Sequence, residues 1–267
     1  MKKKFYRKPH RIKRKKPIYQ NRFFWLSFFL FLFVFAFFYF IFFSRFFEIK
    51  KIRIYGNESI NREEIENLLM EGAAMDFKLL KTKNLLLFNT KNLQKEILEK
   101  YPKIENIEMK KFLPDSLEVK IKERKAKLVF KKEDNLFLLD ENGIIFEKTD
   151  SLDNFLIMTK LNLERDPNLG EKVIDGEALK RILYFISKVQ EELKISLKEI
   201  NIFSEERINV KTAENWEIYL NLQDDFSWQF IRLKTVLEKK IPKEKRDRLQ
   251  YIDLRFERVY LFPETSN

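Results

Sequence analysis

The feature that most constrains the fold is an apolar stretch, residues 23–43, in which no side chain is charged at neutral pH. At a helical rise of about 1.5 Å per residue this stretch spans about 31 Å, which matches the hydrocarbon core of a bilayer. The preceding residues, 1–22, contain 11 Lys or Arg and no Asp or Glu. Because short basic flanks stay on the cytoplasmic side, the sequence predicts a cytoplasmic tail, one transmembrane helix and an extracytoplasmic remainder beyond Ser44.

A cleaved signal peptide is one alternative to this anchor. Its apolar region would contain about 7 to 15 residues and would be followed by small residues at a cleavage site. Here the apolar stretch is longer and is followed by Ser44, Arg45, Phe46 and Phe47. The length and the flanking residues therefore favour a retained transmembrane helix.

Nucleic-acid binding by the basic tail is a second alternative. The chain has 53 Lys and Arg against 41 Asp and Glu, so that removing the tail's 11 basic residues leaves 42 against 41. The excess positive charge thus lies where membrane topology requires it. We expect the tail to contact anionic lipid headgroups, with roughly 1 kcal/mol from each basic residue. No nucleic-acid partner is predicted.

The residue types of the extracytoplasmic part exclude most hydrolase mechanisms. The chain has no Cys, and its only histidine, His10, lies in the tail, which excludes a disulfide, a thiol nucleophile, a Ser-His pair or a His-based metal site outside the membrane. Two carboxylate pairs, Asp140 with Glu141 and Asp224 with Asp225, leave open a glycosidase acting on cell-wall glycan. Their positions beside turn and helix-cap signals favour structural roles. We predict no catalytic residue, cofactor or metal.

Residues 46–124 show the pattern of a small α+β domain. A strand is predicted at 47–55, and helices with apolar stripes at helical spacing are predicted to begin near Asn61 and Thr90. Residues 72–89 show no clean period and are expected to form a loop or a broken helix. Two further strands, joined by a Pro-Asp turn, complete a three-stranded sheet that is covered by two helices. The second of these strands alternates, with Leu117, Val119 and Ile121 on one face.

Residues 125–263 show the pattern of a second domain that is rich in short strands, followed by a short tail at 264–267. Helices are predicted to begin near Asp175 and at Asp224 or Asp225. The predicted strands are 128–130, 136–139, 144–146, 199–203, 207–211 and 216–220, and strand-like sequence follows at 251–262.

Three longer motifs follow the basic tail and the anchor: KFLPDSLEVKIKER at 111–124, LLDENGIIF at 138–146 and YIDLRFERVYLF at 251–262. Their order and spacing resemble those of the bacterial cell-division family FtsQ/DivIB, whose first outer domain is a POTRA (polypeptide-transport-associated) domain. Many members of that family carry Trp where this chain has Lys103 and Leu113.

The resemblance implies an α+β protein with a single transmembrane helix, 23–43, a POTRA-like domain, 46–124, and a second, mostly antiparallel β domain with two helices, 125–263. It implies a non-enzymatic divisome scaffold in the plasma (inner) membrane at the division septum. The expected partners are FtsB- and FtsL-like membrane proteins, which the chain would bind outside the cytoplasm while linking early and late division proteins. No cofactor is implied.

The resemblance places the partner contact on the last strands of the second domain, at Arg255, Phe256, Val259, Tyr260, Leu261 and Phe262. A C-terminal strand commonly lies at a sheet edge, where its free N–H and C=O groups can accept an added strand. Aromatic residues and Arg are also enriched at binding hot spots. The alternation of Ile252, Leu254 and Phe256 is more typical of a core-facing strand, with Phe256, at the end of the segment, as the exception. Tyr260 and Phe262 are the stronger candidates.

An alternative function is that of a POTRA-bearing component of protein export or outer-membrane assembly. Such a protein is expected to continue into a series of alternating strands of about 10 residues. No such series follows residue 124 in this chain. The pattern therefore favours the divisome function.

Overall fold

The computed structural model of the chain describes residues 21–72, 75–77, 80–152, 155–161, 163, 165–241 and 243–263. Residues 1–20 of the predicted basic tail and the predicted C-terminal tail, 264–267, lie outside the described residues. Two compact units can be distinguished. The first comprises the chain up to Arg53 with Arg62–Thr90 and Met109–Val119, and the second comprises Ile54–Asn61, Lys91–Glu108 and the chain from Lys120 onward.

The apolar stretch forms one continuous helix, α1 (Arg22–Phe43). Asn21 caps this helix, because its side chain accepts the backbone N–H of Phe23 at 3.0 Å. Its side chains are exposed as far as Phe40, and a helix that is apolar on all sides requires an apolar environment. Within the described residues, α1 with the few residues up to Phe47 is the one helix long and apolar enough to cross a membrane.

A small sheet with two helices and a short hairpin follows α1. Its elements are β1 (Lys51–Tyr55), α2 (Arg62–Gly72), β2 (Met75–Phe77), β3 (Leu80–Thr82), α3 (Thr90–Lys100), β4 (Ile104–Phe112) and β5 (Ser116–Glu123). The three-stranded sheet has the order β1-β5-β4. In β5 every second residue, Leu117, Val119 and Ile121, is buried, which is the predicted alternation. The predicted α+β arrangement of three strands and two helices is confirmed.

Two predictions for this region were wrong in detail. Residues Arg45–Phe47 form a 3-10 turn, so the strand predicted at 47–55 begins only at Lys51. Residues 72–89, predicted as a loop or a broken helix, contain the antiparallel hairpin of β2 and β3. Strands of three residues are too short to show a period of two in the sequence.

A nine-stranded sheet, two α-helices and a 3-10 helix (Lys243–Arg248) are found in the remaining part of the chain that the structure describes. The elements are β6 (Leu128–Lys132), β7 (Asn135–Leu139), β8 (Ile145–Lys148), β9 (Ile157–Lys160), α4 (Gly176–Glu192), β10 (Leu197–Ser204), β11 (Arg207–Thr212), β12 (Glu217–Leu220), α5 (Phe226–Lys239), β13 (Tyr251–Asp253) and β14 (Tyr260–Phe262). The strand order is β14-β13-β12-β11-β10-β9-β6-β7-β8. Most pairs are antiparallel, as predicted, whereas β9 is parallel to both β6 and β10, and β12 is parallel to β13. The sequence analysis missed β9, which is four residues long and joins the two halves of the sheet.

The two helices of this part begin at acidic caps and bury aromatic side chains. Asp175 caps α4, and Asp225 rather than Asp224 caps α5, its carboxylate accepting the N–H of Ser227 at 2.7 Å. Phe185 of α4 lies edge-on to Phe226 of α5, with ring centroids 5.9 Å apart. The core of this part therefore lies where α4 and α5 pack against one face of the sheet.

The strand-like sequence at 251–262 is two short strands rather than one. β13 ends because the carboxylate of Asp253 accepts the backbone N–H of Arg255 at 3.0 Å, which is the geometry of an Asx turn. The chain then returns as β14, which is antiparallel to β13 and pairs Leu261 with Ile252. The C-terminal strand is thereby placed at the end of the sheet.

Candidate partner-binding site

Strand β14 is the outermost strand at one end of the nine-stranded sheet. Within the described residues, β13 is its one paired neighbour. An edge strand has backbone N–H and C=O groups along its outer side that can pair with an added strand. The structure therefore provides the kind of edge that strand addition requires.

The six predicted site residues lie at this edge, and apart from Arg255 they form two groups. The side chains of Phe256, Tyr260 and Phe262 are 53%, 53% and 46% exposed. Val259 and Leu261 are partly buried and pack against the core. The three aromatic residues are thus available to a partner, while the two aliphatic residues hold β14 on the domain.

Of the three alternating residues Ile252, Leu254 and Phe256, the first two face the core. Ile252 and Leu254 are fully buried, as the core-facing interpretation predicts. Phe256 follows the turn at Arg255 and is exposed instead. Its ring lies edge-on to that of Tyr260, with centroids 5.8 Å apart.

A row of stacked rings, which we call the aromatic row, crosses the last three strands and consists of Tyr219 (β12), Tyr251 (β13) and Phe262 (β14). The ring centroids of Tyr219 and Tyr251 are 4.8 Å apart, and those of Tyr251 and Phe262 are 5.7 Å apart, with interplanar angles of 13° and 11°. Burial, and to a smaller extent Glu217, raises the pKa of Tyr219 above its ordinary value. The row ends at the sheet edge. Sequence reasoning missed it, although one aromatic residue in each of three strands was a visible signal.

Arg255 connects the aromatic row to the exposed rings of the turn. Its guanidinium lies 5.5 Å from the ring centroid of Tyr219 and 5.3 Å from that of Phe256, which are cation–π distances. It also donates to both carboxylate oxygens of Asp253, at 2.9 and 2.6 Å. The hydrogen bond to Asp253 raises the pKa of Arg255, so this side chain is charged and has a defined orientation.

Arg232 of α5 fixes the turn between β13 and β14, and the sequence analysis did not identify it. Its guanidinium donates to the carbonyl oxygen of Leu254 at 2.8 Å and also to that of Phe256. Two charge-assisted bonds from a helix to consecutive parts of one turn restrict the position of that turn. The placement of Phe256 and β14 therefore depends on α5.

Each of the two carboxylate pairs that left the possibility of a glycosidase open has one member with a structural role. Asp140 is buried and forms an ion pair with Arg124, with 2.6 Å between Oδ2 and Nη1. Asp225 is the cap of α5. Among the residues that the structure describes, no group of three or more His, Cys, Asp or Glu side chains could hold a metal ion.

Comparison with known families and proteins gives consistent matches. The model of the POTRA domain, FtsQ-type, matches residues 47–124, and that of the cell division protein FtsQ/DivIB, C-terminal, matches residues 128–255.

Known relatives are cell division proteins as well. The chain is 23% identical over 201 residues to the cell division protein DivIB of Clostridium tetani, covering 73% of this chain and 71% of that protein. It is 30% and 31% identical over 135 residues to the cell division proteins DivIB of Clostridium botulinum strains Hall and Loch Maree, covering 51% of this chain and 47% of each relative. The aligned part thus spans about half the length of the two C. botulinum proteins. The two matched models leave little of the chain beyond α1 uncovered, and the chain belongs to the FtsQ/DivIB family of cell division proteins.

Proposed function

We propose that this chain is a non-catalytic scaffold of the divisome that binds FtsB- and FtsL-like membrane proteins outside the cytoplasm and links early to late division proteins. Membership of the FtsQ/DivIB family supports the role in cell division. The structural roles of Asp140 and Asp225, one member of each carboxylate pair, support the absence of carboxylate catalysis at these pairs.

The proposed topology is a single pass through the plasma (inner) membrane at the division septum, with the N-terminus in the cytoplasm. The 11 basic residues within 1–22 support this orientation, and anionic lipid headgroups are their proposed contact. We further propose a POTRA-like domain at 46–124 and a β domain at 125–263. The limits of the matched regions, 124 and 128, support this boundary.

The observation that carries the proposed binding mode is the position of β14 at the sheet edge, with exposed aromatic side chains beside it. A segment of the partner would pair with the outer side of β14 and extend the sheet by one strand. Phe256, Tyr260 and Phe262 would form the main side-chain contacts, and Arg255 would contribute a charged one. Val259 and Leu261 would keep the edge in position from the core side.

The aromatic row also indicates which partner strand would fit best. A strand added to β14 places its side chains beside Phe262 at the spacing of neighbouring strands, which is about 4.8 Å. An aromatic or long apolar side chain at that position would continue the stack beyond Phe262. Such cross-strand pairs contribute roughly 0.2 to 1 kcal/mol each.

Binding of the full chain in nanodiscs to the outer segment of the FtsB-like protein from the same genome tests this proposal. The variants are Tyr260→Ala and Phe262→Ala, and the control is Leu161→Ala, a similarly exposed apolar residue directly after β9. Loss of a true anchor costs about 2 kcal/mol, which is about 30-fold in Kd. Hydrogen exchange should show new protection of the amides of β14 in the complex.

Circular dichroism establishes that each variant is folded. An unchanged Kd in both folded variants would contradict the site. Unchanged exchange at β14 despite weakened binding would contradict strand addition. Failure of the unmodified chain to bind would contradict the proposed partner and favour the export-related alternative.

A further inference from the structure

We propose that the membrane-proximal part of the chain docks on the outer surface of the lipid bilayer through four apolar side chains, Phe46, Leu86, Phe112 and Leu113, which we call the docking surface. This inference rests on the proposed membrane placement of α1 and concerns a part of the chain distinct from the C-terminal edge. Three segments carry it: the exit of α1, the turn after β3, and the turn between β4 and β5.

The turn after β3 is bonded directly to the end of α1. The side-chain amide of Asn84, which is buried, donates to the carbonyl oxygens of Ile41 and Phe42 at 2.8 and 3.0 Å. The last carbonyls of a helix have no partner within the helix, and near hydrocarbon such unpaired groups are costly. The N–H of Leu85 donates to the carbonyl oxygen of Phe47 at 2.8 Å. These bonds place Leu86 beside the point where the chain leaves the apolar helix.

The turn between β4 and β5 lies beside the same exit. The carbonyl oxygen of Asp115 accepts the N–H of Lys50 at 2.9 Å and that of Lys51 at 3.3 Å. From the end of β4, the amine of Lys111 donates to the carbonyl oxygen of Leu86 at 3.3 Å. Phe112 ends β4, and Leu113 begins the turn. The turn is thus bonded to the chain that leaves α1, and the end of β4 is bonded to Leu86.

The four side chains of the docking surface are apolar and yet exposed. Leu113 is 61% exposed, Phe46 54%, Phe112 51% and Leu86 37%. Exposed apolar side chains that cluster in one place indicate an interaction site, whereas isolated ones do not. Aromatic residues in particular are enriched at the level of lipid headgroups.

The position of α1 indicates that the docking surface contacts lipid. Its 22 residues span about 33 Å at about 1.5 Å per residue, so that Phe43 reaches the far boundary of a hydrocarbon core of about 30 Å. Asn84 is within hydrogen-bonding distance of this helix end, which leaves the docking surface at headgroup level. The surface is therefore continuous with the membrane-spanning helix.

The charges around the docking surface suit anionic headgroups. Six basic residues and two acidic residues occur in 44–51, 83–88 and 109–116. The exposed basic side chains include Arg45, Lys50 and Lys110. Long basic side chains can bury their stems in apolar surroundings while the charged group contacts the headgroups.

Single-cysteine labelling of the full chain tests the proposal, since the natural sequence has no Cys. Leu113→Cys is labelled with an environment-sensitive fluorophore and incorporated in nanodiscs of phosphatidylethanolamine and phosphatidylglycerol that hold this chain alone. Leu161→Cys is the matched control, because Leu161 has a similar exposure of 58% but lies at the end of β9. Phe33→Cys, in the middle of α1, reports insertion of the helix.

The expected result is a blue-shifted emission at Leu113→Cys and at least twofold quenching by lipid spin-labelled near the headgroup, with neither effect at Leu161→Cys. Strong quenching of Phe33→Cys by acyl-chain spin labels, together with a water-like, unquenched label at Leu113→Cys, would overturn the docking surface while leaving the anchor intact. That outcome would assign the surface to another membrane protein. An unquenched label at Phe33→Cys would overturn the anchor and the docking surface together.

Discussion

Replacement of Arg124 by Met removes the positive partner of a carboxylate that is almost completely buried. The side chain of Asp140 is 3% exposed and that of Arg124 is 13% exposed, with 2.6 Å between Asp140 Oδ2 and Arg124 Nη1. Asp140 Oδ1 also accepts the backbone N–H groups of Asn142 and Ile144, both at 2.9 Å. Methionine keeps an apolar stem of similar length, so that the main change is the loss of the charge and of its hydrogen bonds.

The magnitude follows from the burial of the remaining carboxylate. Removing one partner of a buried ion pair costs about 3 to 5 kcal/mol, because the other charge is left uncompensated. Arg124 Nε also donates to the carbonyl oxygen of Pro102 at 2.9 Å, and this bond is lost as well. For a protein of this size each kcal/mol lowers Tm by about 2 to 4 °C, so Arg124→Met should lower Tm by at least about 6 °C.

Thermal unfolding of a fragment comprising residues 44–267, followed by circular dichroism, measures this effect. Lys180→Met is the control, since it breaks the pair of Lys180 with Glu177, whose side chains are 50% and 81% exposed. An exposed pair contributes less than about 1 kcal/mol. Because the cost arises from an unpaired charge, the double variant Arg124→Met/Asp140→Asn should be more stable than Arg124→Met. A Tm within about 2 °C of the unmodified protein for Arg124→Met, or a double variant no more stable than Arg124→Met, would refute the reasoning.

Two further predictions concern Glu123 and Gly143. Burial raises the pKa of Glu123, but hydrogen bonds from Ser59, Ile60 and Glu58 outweigh burial and leave the pKa below its ordinary value. Its stabilising contribution is therefore present above the unfolded pKa of about 4.3 and is lost as pH falls through the folded pKa. The Tm difference between the unmodified protein and Glu123→Gln should shrink between pH 7 and about pH 3, and a constant difference would contradict this account. Gly143→Ala should destabilise more than Gly170→Ala. Both residues have positive φ, +78° and +87°, but an added Cβ would lie 2.1 Å from the carbonyl oxygen of Ile174 at Gly143 and no closer than 3.7 Å to Pro102 at Gly170. Equal Tm losses in Gly143→Ala and Gly170→Ala would contradict this prediction, because they would show that the structure relieves the overlap with Ile174.

Local signals in the sequence predicted several elements well. Asp175 precedes a helix with a regular apolar stripe, and this helix begins where the cap predicts it. The alternation in 117–121 identified β5 and its buried face. In both cases the pattern and the structure depend on residues that are close along the chain, so a short window of sequence contains the relevant information.

Features that depend on distant residues were missed. Strand β9 is held by parallel pairing with β6 and β10, which lie about 30 and 40 residues away in the sequence. Arg232 gives no local sign of its role, because the carbonyl groups to which it donates belong to Leu254 and Phe256. The aromatic row likewise exists only once β12, β13 and β14 lie side by side.

The sequence alone determined that the chain has one long apolar helix preceded by a basic tail, that it is followed by α+β structure, and that its motifs resemble those of FtsQ/DivIB proteins. These properties are local, because they follow from composition, from periodicity and from motif order. Only the tertiary structure decided that 251–262 is a hairpin rather than a strand, that Phe256 is exposed while Leu254 is buried, and that Asn84 bonds to the end of α1. Each of these outcomes depends on hydrogen bonds or packing between residues that meet only in the folded chain. The aromatic side chains of the candidate site could therefore be identified from the sequence, whereas their accessibility required the fold.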